Sequence, residues 1–363
     1  MNRPLVTFAI LAYHHERFIR EAVRGALSQT YSPLQIIVSD DCSDDGTFEA
    51  AQKEVEGYDG PHEVVLNRNE RNLGYMGHMN RIMELADGEL VVPADGDDVS
   101  LPTRTEELVR AWSEEDVTCV YSNYILVDED GVEERVEVWE ARMQYGQEPP
   151  KSWEEMVRSG RTGITGCSLA WDRAAFDVFG PLPDRFMTED VPIPFRAALL
   201  GRVAYVDKPL VLYRRHDTNT SALIFLGFRG ESLSQFTKRE GTTARMFGNH
   251  YESWLRDMDL FSSPDAGSRN GYSEAMRITS ARVDFYRFKE ASSKLGIKDR
   301  LSRLPRAVRS VRVLGLNAVM KLCLLSASPT AYYWVQRSSK KPPSVLLTEP
   351  SEDVDPSRVL GPR

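Results

Sequence analysis

Short apolar runs alternate with amphipathic helical patterns near the N-terminus, and this alternation limits the fold more than any other feature of the chain. The runs of strand length are residues 5–11, 34–38, 63–66 and 90–94. Helical periodicity falls between them, at residues 15–29, from about 47 to 55, and at 75–85. Strands that alternate with helices in this way pair in parallel and carry helices on both faces. The sequence therefore predicts an α/β fold with a mostly parallel sheet flanked by helices.

An acidic cluster, formed by Asp95, Asp97 and Asp98, follows the fourth apolar run directly. Ligands bind at the carboxyl ends of strands in an open α/β sheet. Carboxylates this close together repel one another unless a cation lies among them. Oxygen ligands suit Mg²⁺ or Mn²⁺, the usual partners of nucleotide diphosphates. The alternative is a solvated acidic turn that binds no metal.

Composition excludes some classes of protein. The net charge of −9 argues against a general nucleic-acid-binding protein, which needs basic residues to neutralise phosphates. The four cysteines are scattered without zinc-binding spacing, as is typical of a reducing cytoplasm. The N-terminal residues lack the pattern of a signal peptide, and no stretch of about 18 uncharged apolar residues occurs. We therefore expect a cytoplasmic protein without an ordinary transmembrane helix.

The pattern after residue 100 is less regular and becomes helical towards the C-terminus. Residues 117–127 and 203–213 have the aliphatic and aromatic content of strands, the second interrupted by Pro209. Beyond residue 219 helical periodicity prevails, with a break at residues 262–267, where Ser, Pro and Gly cluster. We expect a C-terminal region made of helices.

Residues 294–341 form a basic segment, with eleven Lys and Arg and one acid, Asp299. Arginine recurs at every third position from 300 to 312, interleaved with aliphatic residues, and a largely apolar stretch follows at 313–327. Such a combination is typical of an amphipathic element on an anionic membrane surface. The alternative is a helix that packs on the rest of the chain or on a second subunit. Pro305 weakens a single continuous helix in either case.

Several motifs occur along the chain in an order and spacing typical of one enzyme family. They are PLVTFAILAY at residues 4–13, LSQTY at 27–31, QIIVSDDCSDDGT at 35–47, NLG at 72–74, ADGE at 86–89, DGDD at 95–98, ED at 189–190 and YRRH at 213–216. With these motifs the chain resembles a family 2 glycosyltransferase of the Rossmann-like GT-A fold, over about residues 4–220. The resemblance implies a metal-dependent, inverting hexosyltransferase that uses a nucleotide-sugar, with a UDP-sugar the expected donor.

The resemblance assigns residues that bind the donor nucleotide. Asp41 is expected to bind the uracil, with Tyr13 near the base, and Asp95 to reach the ribose or the metal. The alternative for Asp41 is a cap on the following helix, a position that better suits Asp44 or Asp45. The family often has a small hydroxyl residue where this chain has Leu11, which puts one base or ribose contact in doubt.

The resemblance also assigns residues around the metal and the diphosphate. Asp97 is expected to ligate the metal directly, and His216 to contact the metal or the diphosphate. An imidazole ligand would favour Mn²⁺ over Mg²⁺. A structural histidine is the alternative for His216. Positive charge at the diphosphate is expected from Arg214, Arg215 or Arg71, and the sequence does not choose among them.

Glu189 and Asp190 are the acceptor-side residues that the resemblance implies, with Asp190 as general base. A sugar hydroxyl is a poor nucleophile, and removing its proton during attack contributes about 10²–10⁴-fold to the rate. The alternative for this pair is a helix N-cap.

We divide the chain into four parts on this basis. They are a catalytic GT-A domain at residues 1–220, a helical extension at 221–293, the basic segment at 294–341 and a proline-rich tail, expected to be disordered, at 342–363. The basic segment suggests a glycan or lipid-linked acceptor at the inner face of the plasma membrane, in the synthesis of a bacterial O-antigen or capsule. Homo-oligomerisation through the helical region is a further possibility.

Two other functions compete with this interpretation. A nucleotidyltransferase would carry a Gly-rich, basic loop after the first strand, which residues 12–15 do not supply. A non-catalytic scaffold at the membrane would have lost the acidic cluster or the base, and this chain has both.

Overall fold

The computed structural model describes residues 3–130, 138–139, 149–183, 188–216, 233–261, 269–328 and 332. They belong to two compact units. The described residues of the first unit come from the ranges Met1–Ser152 and Thr162–His216. The described residues of the second unit come from Trp153–Arg161 and Asp217–Val345. Residues 217–232 and 342–363 lie outside the described residues, so the predicted boundary at residue 220 and the predicted tail stay predictions.

The first unit is built on one sheet, to which the described residues contribute nine strands. The strands are β1 (Val6–Ala12), β2 (Leu34–Asp40), β3 (Glu63–Arg68), β4 (Leu90–Asp95), β5 (Val99–Ser100), β6 (Val117–Val127), β7 (Val138–Trp139), β8 (Leu169–Asp172) and β9 (Arg202–Arg214). Their order across the sheet is β3-β2-β1-β4-β8-β6-β9-β5, and β7 pairs with β6. The four longest ladders, β1–β2, β1–β4, β2–β3 and β6–β9, are parallel. The predicted α/β fold with a mostly parallel sheet is confirmed.

Helices of the first unit connect these strands and cover the sheet. They are α1 (Ile19–Leu27), α2 (Thr47–Val55), α3 (Gly74–Leu85), α4 (Arg104–Trp112), α6 (Ala174–Asp177) and α7 (Pro192–Leu200), and a single 3₁₀ turn spans Gly166–Ser168. Strands β1 and β2 are buried along their whole length, as their continuous apolar runs predict for a sheet covered on both faces. The core between α1 and the sheet includes Phe8, Ile10, Ile19 and Val23.

Strand β9 runs through Pro209, where the sequence predicted a break. Its pairing with β6 shifts register there, since Ser122 lies opposite Val206 and Asn123 opposite Pro209. Proline has no N–H to give to a ladder and is accommodated at bulges. The interruption is therefore a bulge within one continuous strand, which carries the chain on to Arg214.

The second unit is helical in its described residues, as the sequence predicted. Its helices are α5 (Trp153–Ser159), α8 (Leu233–Phe261), α9 (Arg269–Ser292), α10 (Ile297–Val311) and α11 (Leu316–Ala327). Helix α8 ends before the predicted break at residues 262–267, and helix α9 begins after it. The break itself lies outside the described residues. Helix α10 continues past Pro305, and Ala307 and Val311 pack against Phe288 and Leu322. Within the described part of the chain, no helix is long and apolar enough to cross a membrane.

Candidate active site

The carboxyl ends of β1, β2 and β4 meet at one edge of the sheet. Leu11 lies opposite Ser39 on one side and opposite Asp95 on the other. Backbone hydrogen bonds extend this pairing into the loops, from Gly96 N–H to the Leu11 carbonyl (2.8 Å) and from Asp41 N–H to the Ala12 carbonyl (2.9 Å). The predicted donor-binding and metal-binding motifs are therefore neighbours in space.

The acidic cluster is compact and largely buried. One carboxylate oxygen from each of Asp95, Asp97 and Asp98 lies within 4.8 Å of the others. Asp98 accepts a hydrogen bond from Arg214 N–H (2.9 Å), and its second oxygen is buried with no hydrogen-bond partner among the described residues. Burial, together with the charge of Asp97, raises the pKa of Asp95 to about 7 and that of Asp98 well above its usual value. An unpartnered oxygen within repelling carboxylates is the environment that a divalent cation stabilises, so these residues fit the predicted metal.

Two imidazoles face Asp97 from different parts of the chain. Nε2 of His216 lies 2.9 Å from Asp97 Oδ2, and Nε2 of His15 lies 3.8 Å from the same oxygen. Burial acts to raise the pKa of Asp97, but the hydrogen bond with His216 and the charges of both histidines lower it below its usual value. His15 packs on Gly96, where an added Cβ would lie 2.6 Å from His15 Nδ1. The sequence identified His216 but missed His15, whose one signal was its place just after β1.

Arg214 lies behind the acidic cluster. Its guanidinium donates to the carbonyl oxygens of Asp97 (2.9 Å) and Glu129 (3.1 Å) and to the carboxylate of Glu21. The centre of the Phe18 ring lies 4.9 Å from the guanidinium carbon of Arg214. These contacts hold the loop that carries Asp97, and a role for Arg214 at the diphosphate stays a prediction.

Asp41 is held rigidly at the end of β2. Its Oδ1 accepts hydrogen bonds from the side-chain amide of Asn69 (2.7 Å) and from Leu73 N–H (2.9 Å). Asp41 does not cap α2, whose N-cap position is Gly46 without a capping side chain. Asp45 is the nearer carboxylate, and it accepts from Thr47 N–H at the start of α2 (3.0 Å).

Tyr13 lies at the end of β1 with 43% of its surface exposed. Its ring stacks on that of His14, with the ring centres 4.0 Å apart. An exposed aromatic face beside the strand ends suits stacking with a planar base. Contact between Tyr13 and a nucleotide stays a prediction.

Glu189 and Asp190 precede α7, and Glu189 is buried. The helix cap predicted as their alternative is absent, because α7 begins without a side-chain cap. Burial, then the charges of Asp190 and Asp95, raise the pKa of Glu189 to about 8. Burial also raises the pKa of Asp190. At neutral pH Glu189 therefore retains its proton, and Asp190 as the general base stays a prediction.

Tyr75, which the sequence did not identify, contacts the acidic cluster. Its hydroxyl donates to Asp95 Oδ1 (3.4 Å). Burial, then the charges of Asp95 and Glu189, raise the pKa of Tyr75 well above its usual value. Tyr75 therefore remains a neutral hydrogen-bond donor beside Asp95.

Arg104, also missed, is fully buried beneath the acidic cluster. Its guanidinium donates to the carbonyl oxygens of Pro93 (2.9 Å) and Cys167 (2.8 Å) and to the hydroxyl of Ser100 (2.8 Å). Burial lowers its pKa to about 10. Arg104 thus joins β4 to the 3₁₀ turn and places a positive charge near Asp98.

A protein-family model described as Glycosyl transferase family 2 matches residues 7–172. Among curated relatives, the uncharacterized glycosyltransferase alr2836 of Nostoc sp. is 25% identical over 222 residues, which is 59% of this chain and 66% of that protein. The Escherichia coli UDP-Glc:alpha-D-GlcNAc-diphosphoundecaprenol beta-1,3-glucosyltransferase WfaP is 30% identical over 122 residues, 34% of this chain and 47% of that protein. Both matches span less than two thirds of the relative.

Solved structures show the same fold. S. aureus TarS 1–349 in complex with UDP-GlcNAc has a TM-score of 0.55 at 14% identity, over 92% of this chain and 90% of that one. The mannosyltransferase PcManGT from Pyrobaculum calidifontis, in complex with GDP-Man and Mn²⁺, has a TM-score of 0.50 at 17% identity, over 93% and 89%. Residues 7–172 therefore match a glycosyl transferase family 2 domain, and the chain has the GT-A fold.

Proposed function

We propose that this protein is a metal-dependent, inverting glycosyltransferase that moves a hexose from a UDP-sugar to a hydroxyl of a glycan or lipid-linked acceptor. The observation that carries the proposal is the cluster of Asp95, Asp97 and Asp98, with Nε2 of His216 2.9 Å from Asp97 Oδ2. It lies at the sheet edge where ligands bind in this type of fold.

The nucleotide would bind along the ends of β1 and β2. Asn69 and Leu73 both donate to Asp41 Oδ1, which leaves Oδ2 to receive the N–H of a uracil ring. The Tyr13 ring would pack near the base. Cytosine carries no N–H at that ring position, so a carboxylate there would select uracil over cytosine.

Asp95, Asp97, Asp98 and His216 are the residues that would hold the cation, by their proximity and their oxygen and nitrogen donors. A bound divalent cation neutralises negative charge on a leaving diphosphate. The imidazole favours Mn²⁺ over Mg²⁺.

Asp190 would act as the general base. It takes the proton of the acceptor hydroxyl while the hydroxyl oxygen forms a bond to the anomeric carbon. The bond from that carbon to the diphosphate breaks, and its electron pair leaves with the diphosphate. A single displacement without an enzyme nucleophile inverts the configuration of the anomeric carbon.

Exposed side chains of α10 and α11 support contact with an anionic membrane. Ile297 and Leu301 lie one turn apart on α10, and Leu316 and Met320 lie one turn apart on α11, with 74% of Leu316 and 57% of Met320 exposed. Exposed basic residues accompany them at positions 294, 298, 303, 306, 309, 312 and 321. A membrane-bound, lipid-linked acceptor at the inner face of the plasma membrane fits this surface, as does a place in O-antigen or capsule synthesis. A second copy of the chain is the alternative occupant.

The test of the transferase activity is release of nucleoside diphosphate from UDP-, GDP- and dTDP-sugars, with Mn²⁺, with Mg²⁺ and with EDTA. We expect metal-dependent release from a UDP-sugar, lost in Asp97→Asn and lowered about 10²–10⁴-fold in Asp190→Asn. Asp177→Asn, which removes an exposed charge on α6, is the matched control. No release by the wild-type protein and no metal-dependent stabilisation by any donor would contradict the proposal and favour a scaffold.

Membrane contact is tested by flotation with anionic and with neutral liposomes. We expect binding to anionic liposomes that weakens as salt is raised. Replacing both Leu316 and Met320 with Ser should lower binding without changing the turnover of a soluble acceptor. If equal amounts of protein float with anionic and with neutral liposomes, or if no protein floats with either, membrane contact is contradicted.

A further inference from the structure

Two asparagines lie at the carboxyl end of β3, beside the strand end that carries Asp41. Asn67 lies opposite Ser39 in the ladder of β2 and β3. Just past the end of that ladder, Asn69 N–H donates to the Asp40 carbonyl (2.9 Å), and the Asn69 side chain is buried. The two amides therefore lie next to the predicted base-binding edge of the sheet, although neither belongs to a motif that the sequence identified.

The two amides form a chain of hydrogen bonds that ends at Asp41. The Asn67 amide donates to the Ser39 hydroxyl (2.8 Å) and to Oδ1 of Asn69 (2.9 Å). The Asn69 amide donates in turn to Oδ1 of Asp41 (2.7 Å). Because an ionised carboxylate accepts and does not donate, the N–H₂ group of Asn69 faces Asp41 and its oxygen faces Asn67. The orientation of the Asn69 amide is thus fixed from both ends.

The other end of the chain is buried beneath α3. Ser39 is fully buried, and Nε2 of His78 lies 2.7 Å from its hydroxyl oxygen. Among the described residues the Ser39 hydroxyl accepts from Asn67 and has no acceptor other than His78, so it donates to Nε2. Burial lowers the pKa of His78, which keeps the imidazole neutral and able to accept. The chain is therefore anchored in the interior of the first unit.

Both hydrogen bonds to the Asp41 carboxylate reach the same oxygen. Oδ1 accepts from the Asn69 amide (2.7 Å) and from Leu73 N–H (2.9 Å), whereas Oδ2 has no hydrogen-bond partner among the described residues. Hydrogen bonds to an ionised group are stronger than those between neutral groups. They hold the carboxylate in one orientation, with Oδ2 as the oxygen available to a uracil N–H. Since Leu73 contributes through its backbone, Asn69 is the side chain on which that orientation depends.

We propose that Asn69 is a positioning residue, which orients Asp41 towards the N–H of a uracil ring and thereby sets the affinity of the site for uridine nucleotides. This inference rests on the proposed function. Asn69 acts through Asp41, and no contact between Asn69 and the nucleotide is required. Loss of a hydrogen bond to a charged group shifts an equilibrium by about 10-fold or more. Asn69 is therefore expected to affect binding of the base and not of the diphosphate.

The experiment measures binding of UDP and of inorganic pyrophosphate by calorimetry with Mn²⁺, in the wild type and in Asn69→Leu. The matched control is Asn123→Leu, because Asn123 is also a buried asparagine whose amide donates to an aspartate, Asp207 (3.1 Å), but it lies within β6. We expect Asn69→Leu to weaken UDP binding about 10-fold and to leave the affinity for pyrophosphate unchanged. Asn123→Leu should bind both ligands as the wild type does. If Asn69→Leu does not fold, Asn69→Ser takes its place, since its shorter side chain does not reach Asp41.

A double-variant cycle tests whether Asn69 acts through Asp41. In the Asp41→Asn background, we expect Asn69→Leu to change the Kd for UDP by less than about 2-fold, because the group that it positions is already altered. Additive losses in the cycle, or unchanged UDP affinity in Asn69→Leu, would overturn the inference while leaving the proposed function in place. Equal loss of UDP and pyrophosphate affinity would overturn it too, since that pattern indicates general disruption. A wild-type protein that binds pyrophosphate but not UDP contradicts the proposed function, and the positioning role fails with it.

Discussion

Nε2 of His216 lies 2.9 Å from Oδ2 of Asp97, although 119 positions separate the two residues in the chain. Strand β9 makes this contact, because it ends at Arg214 beside the loop after β4. Asp98 accepts from Arg214 N–H and so fixes the same loop to the strand that delivers the histidine. The candidate metal site is thus assembled from two distant segments of one sheet.

Replacing His216 should change the metal preference. We expect His216→Gln to weaken Mn²⁺ binding ~10–100-fold, with a smaller effect on Mg²⁺, because an imidazole ligand suits Mn²⁺ better. Titration of the metal in the presence of UDP measures both constants. His62→Gln, which removes a buried imidazole bonded to the Gln29 carbonyl, is the control. Equal Mn²⁺ affinities for the wild-type protein and His216→Gln would contradict the assignment.

Asp41 should determine affinity for uridine nucleotides. In Asp41→Asn an amide can still accept from Asn69 and Leu73, but its N–H₂ would face the N–H of uracil. We expect UDP to bind ~10–100-fold more weakly, as for loss of a hydrogen bond to a charged group. Calorimetry with UDP measures this, and Asp44→Asn, at a side chain that is 92% exposed, is the control. Unchanged UDP affinity in Asp41→Asn would place the base elsewhere.

Glu189 should make the metal-free protein less stable as pH rises. Its pKa is about 8 in the folded protein, against a usual 4.5 that the unfolded chain approaches. Between these values the unfolded chain has lost the proton and the folded protein keeps it, so the free energy of unfolding falls as pH increases. Each unit of difference between the two pKa values lowers the free energy of unfolding by ~1.4 kcal/mol.

The measurement is thermal unfolding of the wild type and Glu189→Gln in EDTA from pH 5 to pH 8. Glutamine cannot ionise, so we expect its stability advantage to grow over this range by several degrees of Tm. The control Glu70→Gln, at an exposed position, should differ from the wild type in Tm by the same amount at every pH. A constant difference for Glu189→Gln as well would show that Glu189 is ionised in the folded protein.

Arg104 should be essential for stability. Arg104→Met leaves the buried carbonyl oxygens of Pro93 and Cys167 without their donor and removes a positive charge near Asp98. We expect a loss of ~3–5 kcal/mol in the free energy of unfolding, measured with urea. The control Arg110→Met, at an exposed position, should change it by no more than ~0.5 kcal/mol. A loss of the same small size for Arg104→Met would refute the proposed role.

Much of the fold was predictable because its signals are local. The first four strands follow from apolar runs, and the helices between them from a period of 3.6 residues. The order of strands and loops also placed Asp41 and Asp95 at one sheet edge, since parallel strands present their carboxyl ends together. The bulge at Pro209 was predicted as a break, because the sequence does not reveal the partner strand that absorbs it.

The sequence by itself determined the α/β alternation, the family motifs and the position of the acidic cluster after β4. Only the tertiary structure decided that His15 and Tyr75 reach that cluster, and that Arg104 lies close enough for its charge to act on Asp98. His15 lies in the loop after β1, Tyr75 on α3 and Arg104 on α4, and the local pattern of these segments gives no sign of the contact. Local periodicity specifies which face of an element is buried, whereas the partner across the interface is set by long-range packing.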